Sequence, residues 1–334
     1  MKKTALLSLL LLVIMLSSCN TTPTTTPTAP PTTAPTVGDG LIVVGFSQVG
    51  AESDWRLANT KSMRETFDAS NGYKLLFRDA QQRQENQIAA IREFIAEKVN
   101  YIVFAPVTED GWDDVLKEAR AANIPVIIVD RMINTADDSL YTCWVGSDFR
   151  QEGETAVAWM EETFQDRDSL RIVHLQGTLG SSAQKGRTEG LEAGVARNPG
   201  WEIIHQESGN FNQVKGKEVM EYILKQYDQI DVLYSENDSM TYGAIEAMYS
   251  ARRSYGINGD ITVISFDATH DGLEATLKGN INYNVECNPL HGPRVEAIIQ
   301  QLENGETPDK LAYVEEIAFD AATITQEDID ARSY

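Results

Sequence analysis

The sequence predicts an α/β protein of two lobes, each a parallel β-sheet covered by helices. Short apolar runs alternate with stretches of helical periodicity from residue 41 to about residue 305. Such alternation marks βαβ units, whose crossover helices cover both faces of a parallel sheet. Ten runs are present, at the upper limit for one twisted sheet, so two five-stranded sheets are the simpler solution. The length, 334 residues with 42% hydrophobic content, suits about two domains with sizeable cores.

The chain begins with a targeting pattern. Lys2 and Lys3 precede the apolar stretch ALLSLLLLVIML, 12 residues and short for a bilayer span. LSSC follows at residues 16–19 and looks like the lipobox of bacterial lipoproteins. On that reading residues 1–18 are a signal peptide, Cys19 is lipidated, and acyl chains hold the protein at a membrane. The competing reading is an ordinary secretory signal. Residues 19–40 read as a tether: positions 20–37 hold nine Thr, five Pro and no charge. Such a segment cannot build a core and in extended polyproline geometry reaches roughly 55 Å.

The strand candidates are 41–46, 73–78, 101–105, 126–130, 141–146, 170–175, 201–207, 231–235, 261–265 and 281–286. Between them, TEDGWDDVLKEARAANIP puts Trp112, Val115, Leu116, Ala119 and Ala122 on one helical face, with Asp110 as a candidate N-cap and Pro125 as a stop. The division between lobes falls near YTCWVGSDFR, where a strand runs into GSD and a helix opens at Asp148 or Phe149. No fixed-period repeat links the halves.

Formal charge is −22, or −24 without Lys2 and Lys3. It opposes nucleic acid and anionic membrane surfaces, so the only membrane link expected is the lipid. The four histidines, His174, His205, His270 and His291, are scattered, no CxxC occurs, and no metal or cofactor is expected. Dinucleotide and P-loop fingerprints are absent, as is the nucleophile elbow. GTLGSS after the strand at 170–175 reads as a tight turn before it reads as a phosphate cradle.

In open α/β sheets, ligands bind beyond the carboxyl ends of the strands. Those ends carry Gln48, Glu52, Asp54, Trp55 and Arg56 after the first strand, then Asp79, then Asp130 and Arg131, then Asp148. In the second half they carry Gln184 and Arg187, Glu236, Asn237 and Asp238, Asp267, and Glu286 and Asn288. This ring of carboxylates, amides and guanidiniums suits a polyhydroxylated ligand, with an aromatic face for its C–H side. Trp55 would stack on the ligand, Arg56 would donate to it, and Glu52 or Asp54 would orient Arg56. The bland reading is a solvated helix start with Trp55 in the core. For Asp148 and Asp238 taken singly, helix capping serves equally well.

The motifs VGFSQVGAESDWR, DAQQRQENQIAAIREFIAEKV, APVTEDGWDDVLKEA, IPVIIVDR, NDSM and VECNPLHGP, across residues 41–320, resemble the type I periplasmic sugar-binding proteins of ABC importers, in the ribose/galactose-binding group. SDWR and QQRQENQ point to the galactofuranose-binding branch. The resemblance implies two α/β lobes joined by a three-strand hinge, closure over one monosaccharide, and delivery by a monomer to an ABC permease with a separate ATPase subunit. It implies no catalysis. Matched residue by residue, Trp55, Arg56, Asp130, Arg131, Arg187, Asn237 and Asp267 are expected to contact sugar. Gln48, Glu52, Asp148, Asp238 and Asn288 are weaker matches.

The expected first lobe is 41–145 plus 287–313, and the second is 146–286 plus 314–334. Hinge segments are expected near 141–147, 285–289 and 311–316, and Cys143 and Cys287 fall in two of them. A disulfide there would staple crossing strands; free thiols are the alternative, and the deciding Cα separation is not in the sequence. The tether departs from a freely diffusing periplasmic protein. LacI-type repressors share the implied fold, but here a signal and tether stand in place of a DNA-binding headpiece. A receptor subunit for a chemoreceptor or histidine kinase is the rival function, as is capture of ribose, arabinose or galactopyranose. A glycoside hydrolase would need one carboxylate pair at fixed spacing, where the sequence offers a dispersed ring.

Overall fold

A computed structural model describes residues 40–334. The expected signal peptide, Cys19 and all but the last residue of the expected tether lie outside the described residues. Among those described, no helix is long and apolar enough to cross a membrane.

The first sheet is built from β1 (Ile42–Gln48), β2 (Tyr73–Asp79), β3 (Tyr101–Phe104), β4 (Val126–Val129) and β5 (Cys143–Gly146), with β11 (Leu311–Tyr313) at its edge. Its order is β11-β5-β4-β3-β1-β2, parallel throughout. The second contains β6 (Leu170–Gln176), β7 (Trp201–Ser208), β8 (Val232–Ser235), β9 (Thr262–Asp267), β10 (Tyr283–Glu286) and β12 (Ala318–Asp320). Its order is β12-β10-β9-β8-β6-β7, with β12 antiparallel to β10. All ten expected strands form. The two edge strands were not read as strands, because three residues carry too little pattern.

Helices α1 (Asp54–Thr66) and α9 (His291–Glu303) cover one face of the first sheet, α2 (Gln84–Glu97) and α3 (Asp113–Ala121) the other. In α3, Trp112, Val115, Leu116 and Ala119 are buried as the periodicity requires. Ala122 is exposed, and no side chain caps the helix. Asp110 instead accepts from Asn134 Nδ2 at 2.9 Å. In the second lobe α4 (Phe149–Thr163) and α5 (Ser182–Arg197) cover one face, α6 (Gln213–Gln226) and α7 (Asp238–Ser250) the other. Helices α8 (His270–Leu277) and α10 (Gln326–Asp330) enclose a small satellite core around Phe319.

Close helix approach has a purpose in the α4–α5 pair. A Cβ on Gly190 would stand 2.6 Å from the Gly153 carbonyl carbon. Only glycine permits that distance, and it brings Glu152 of α4 within 2.6 Å of Arg187 of α5.

Three crossings, at Ser147, Cys287 and residues 314–317, join the lobes side by side. Val314 N bonds Gly146 O at 2.9 Å and Glu286 N bonds Ile317 O at 2.8 Å. Glu316 accepts from Ser147 Oγ at 2.7 Å and from Asn288 N at 2.6 Å. No disulfide links the crossings: Cys143 and Cys287 are both free and buried. Their side chains serve different environments. Cys143 packs into the apolar layer beneath α9, while Cys287 faces Ser147 Oγ at 3.4 Å.

Candidate functional site

The carboxyl ends of both sheets face one enclosed cavity. Glu52, Ser53, Trp55, Arg56, Asp130 and Arg131 line it from the first lobe. Phe149, Ala183, Arg187, Phe211, Asn237 and Asp267 line it from the second, with Cys287 between. Every lining residue is buried, so the lobes are closed.

The first wall is set by α1. Ser53 caps it, accepting from Arg56 N at 3.2 Å, and this fixes the turn from which Trp55 and Arg56 project. Arg56 is 3% exposed and meets Glu52 Oε1 at 3.0 Å, Asp130 Oδ2 at 2.7 Å and Gln48 Oε1 at 3.2 Å. Burial alone would lower its pKa, but Asp130 and Glu52 outweigh it and hold the guanidinium above its ordinary value. Reciprocally, burial pushes Asp130 up while Arg56, Arg131 and His291 pull it below the usual carboxylate value. Asp130 has φ 61°, a strained conformation for a non-glycine residue at a strand end. Its carbonyl accepts from Trp144 Nε1 at 3.0 Å.

Arg131 is held more loosely. It donates to Val107 O at 3.1 Å, and its nearest carboxylates are Glu52 at 3.6 Å and Asp130 at 4.0 Å. Burial and the neighbouring Arg56 pull its pKa down to about 10. It is therefore the lining cation with most donor capacity left for a ligand.

The second wall repeats the plan. Arg187 meets Glu152 Oε2 at 2.6 Å and Asp267 Oδ1 at 3.6 Å, and donates to the Glu236 carbonyl. Asp267 closes β9 as Asp130 follows β4, again at positive φ, 105°. Burial drives its carboxyl well above the ordinary value, with Arg187 opposing. Each guanidinium also stands against an aromatic ring: Arg56 over Trp55 at 4.7 Å, Arg131 over Phe211 at 5.2 Å, and Arg187 over Phe149 at 5.5 Å.

Of the twelve residues expected to meet ligand, eight line the cavity. The other four brace it or lie outside. Gln48 sits behind Arg56 and is held by Asn59 Oδ1 at 2.8 Å. Asp238 accepts from Ser265 Oγ, Thr269 N and Asn284 Nδ2 within 2.7–2.9 Å, which knits α7 to β9 and β10. Asp148 is an exposed cap for α4, accepting from Gln151 N at 3.0 Å. Asn288 bonds within the hinge, to Glu286 at 3.2 Å and Leu290 N at 3.0 Å. Asp54 is exposed, so Glu52 rather than Asp54 orients Arg56.

Trp55 lines the cavity, and its Nε1 is already committed to Cys287 O at 2.6 Å. Only its ring is left for a ligand. Asn237 is shared similarly: its side-chain oxygen caps α7 on Met240 N at 2.9 Å while the residue lines the cavity. Phe149, Phe211 and Glu152 were not expected. Phe149 had a signal, an aromatic directly after GSD at a strand end. Phe211 had none: it reaches the cavity through a loop with φ 58° and lies so close over Gly177 that a Cβ there would stand 1.9 Å from its ring.

Two further contacts seal the lobes outside the cavity. Met132 N donates to Ser182 Oγ at 2.8 Å, and Glu109 N to Gly180 O at 3.0 Å, beside a Glu109–Lys185 ion pair.

Residues 44–291 match the family model described as periplasmic binding protein domain. The chain is 38% identical over 290 residues to the galactofuranose-binding protein YtfQ of Escherichia coli K12, covering 86% of this chain and 90% of that protein. A Mycobacterium smegmatis crystal structure in complex with β-D-fucofuranose superposes with a TM-score of 0.81 at 41% identity, covering 84% of this chain and 92% of that one. The binding protein of the arabinose ABC transporter from Shewanella sp. ANA-3, bound to α- and β-L-arabinofuranose, gives 0.81 at 40% identity, covering 87% and 95%.

Proposed function

The chain belongs to the periplasmic binding protein domain family, and we propose that it captures one monosaccharide in furanose form, galactofuranose-like, between its lobes. It is a sugar-binding subunit of an ABC importer. Trp55, Arg56, Asp130, Arg131, Arg187, Asn237, Asp267 and Glu52 make the contacts. It works outside the cytoplasm, tethered through lipid at Cys19, as a monomer that hands sugar to a permease driven by a separate ATPase. It carries out no chemistry on the sugar.

One observation carries the ligand class. Three guanidiniums and three carboxylates line a closed cavity, and Arg56 and Arg187 are paired before any ligand arrives. An anionic ligand would find Arg56 and Arg187 already paired and only Arg131 loosely held. A neutral polyol finds both donors and acceptors, with aromatic rings for its C–H faces. The ring form is supported by relatives at 38–41% identity described with galactofuranose, fucofuranose and arabinofuranose.

The test is calorimetric titration with galactose, L-arabinose, ribose and glucose, followed by 13C NMR of bound [1-13C]galactose, which reads the ring form. One-to-one binding with a furanose anomeric signal is expected. A bound pyranose would overturn the ring assignment, and silence with every sugar would overturn sugar capture.

A further inference from the structure

A second cluster of donors lies at the hinge. One donor atom each from Glu152, Cys287 and Glu316 lies within 4.8 Å of the other two. They come from three segments: α4, the crossing after β10 and the crossing before β12. Glu152 is 3% exposed and Cys287 2%.

Outer contacts already orient two of them. Glu152 Oε2 takes Arg187 Nε at 2.6 Å, and Glu316 Oε1 takes Ser147 Oγ at 2.7 Å and Asn288 N at 2.6 Å. Glu152 Oε1 is left buried with no hydrogen-bond partner of ordinary geometry. The thiol of Cys287, a weak donor, is its polar neighbour. Leaving a buried carboxylate oxygen without a strong donor is unfavourable. A separate cavity, lined by Glu152, Glu316, Gln151, Val314 and Ile317 among others, leads to the cluster and shares no lining residue with the sugar cavity.

We propose that Glu152, Cys287 and Glu316 form a site for a single zinc ion. One thiolate and two carboxylates match the borderline-soft character of zinc and its tetrahedral preference, with a water from the second cavity as fourth ligand. At bond lengths of about 2.0–2.3 Å the donors stand roughly 3.5 Å apart, so the cluster contracts by about 1 Å on loading. The ion displaces the thiol proton and any carboxyl proton to solvent. Two carboxylates and a thiolate then face Zn2+ and Arg187, and charge balances. Ser147, Asn288 N and Arg187 are the outer groups that hold the ligands in place. The ion would tie α4 of the second lobe to two hinge crossings.

The test uses the purified full-length protein, stripped with chelator, then titrated calorimetrically with ZnCl2 and, separately, with CoCl2 followed by near-ultraviolet absorption. One ion per chain is expected, with a thiolate-to-cobalt charge-transfer band. Glu316→Gln should weaken zinc at least tenfold, and Cys287→Ser should abolish the band. Circular dichroism checks that each variant folds. Cobalt uptake without the band overturns the proposal, because an acidic surface binds cations without the thiol. So does undiminished zinc affinity in a folded Glu316→Gln variant, which does not depend on the cysteine change folding.

Discussion

Replacing Arg56 with methionine keeps most of the side-chain volume and removes the charge. Two carboxylates, Glu52 and Asp130, then remain buried after losing contacts of 3.0 and 2.7 Å. Breaking a buried ion pair from one side costs about 3–5 kcal/mol, mostly the stranded charge. For a protein of this size that lowers Tm by roughly 6–15 °C. Sugar affinity should fall at least tenfold as a charged donor leaves the wall. The pH dependence isolates the cause. In the wild type, Asp130 is held below its ordinary value, so it adds stability at neutral pH that is lost as pH falls through its folded pKa. Without Arg56, burial dominates and Asp130 is raised, so it destabilises above its unfolded pKa and protonates more readily. The gap between variant and wild type is therefore full at pH 7 and narrows toward pH 4. Urea unfolding at both pH values measures it, and Arg56→Met/Asp130→Asn should recover part of the loss. An equal gap at both pH values, or unchanged sugar affinity, would refute the reasoning.

Gly177→Ala should expel the Phe211 ring, because the new Cβ would stand 1.9 Å from it. An overpacking cost of about 1–3 kcal/mol and a tenfold loss of sugar affinity are expected, and unimpaired titration would remove Phe211 from the wall. Lys185→Met breaks the pair with Glu109 across the lobes; with the lysine half exposed, affinity should drop by no more than about fivefold, and the wild-type advantage should fade in high salt. A larger or salt-independent effect would contradict a surface latch. His291 is held neutral by burial, its pKa lowered to about 4, with Nδ1 at 2.8 Å from the Asn59 amide as acceptor. Its folded pKa lies below the unfolded value, so its contribution is complete above about pH 6.5 and is lost as pH falls through 4, by about 3 kcal/mol. His291→Gln should flatten stability over that window; an identical acid profile in the variant would show that other groups carry it.

The sequence revealed most where chemistry and position coincide. An apolar run ending in Asp, as at Asp130 and Asp267, marks a strand's carboxyl end and so a cavity-facing position. Arg56 was legible because SDWR opens a helix beside such an end. Glu152 was missed because it lies one turn inside α4, where an acidic residue reads as solvent-facing; the glycine-mediated approach of α5 is what buries it. Asp148 and Asp238 were ambiguous for a physical reason. A carboxylate at a helix start accepts backbone N–H groups as readily as ligand hydroxyls, and only the direction of the side chain decides. Gln48 and Asn288 stand one contact away from the cavity, a distance that spacing along the chain does not encode.

On the proposed reading, ligand rather than charge governs closure, and the arrangement of the ion pairs supports this. Arg56 and Arg131 face Glu52 and Asp130 within the first lobe, and Arg187 faces Glu152 and Asp267 within the second. No lining ion pair spans the cavity. In the second lobe burial pushes both carboxyls up, with Arg187 opposing. Arg56 and Arg187 are thus paired within their own walls before the lobes meet, and closing an empty cavity gains little from them electrostatically. The span is left to Met132 on Ser182, to Glu109 N on Gly180 O and to the Glu109–Lys185 pair, a set worth only a few kcal/mol against the cost of drying two polar walls. A polyol whose hydroxyls reach both walls supplies what those contacts lack. The population then shifts by as much as the ligand's differential affinity for the closed form allows.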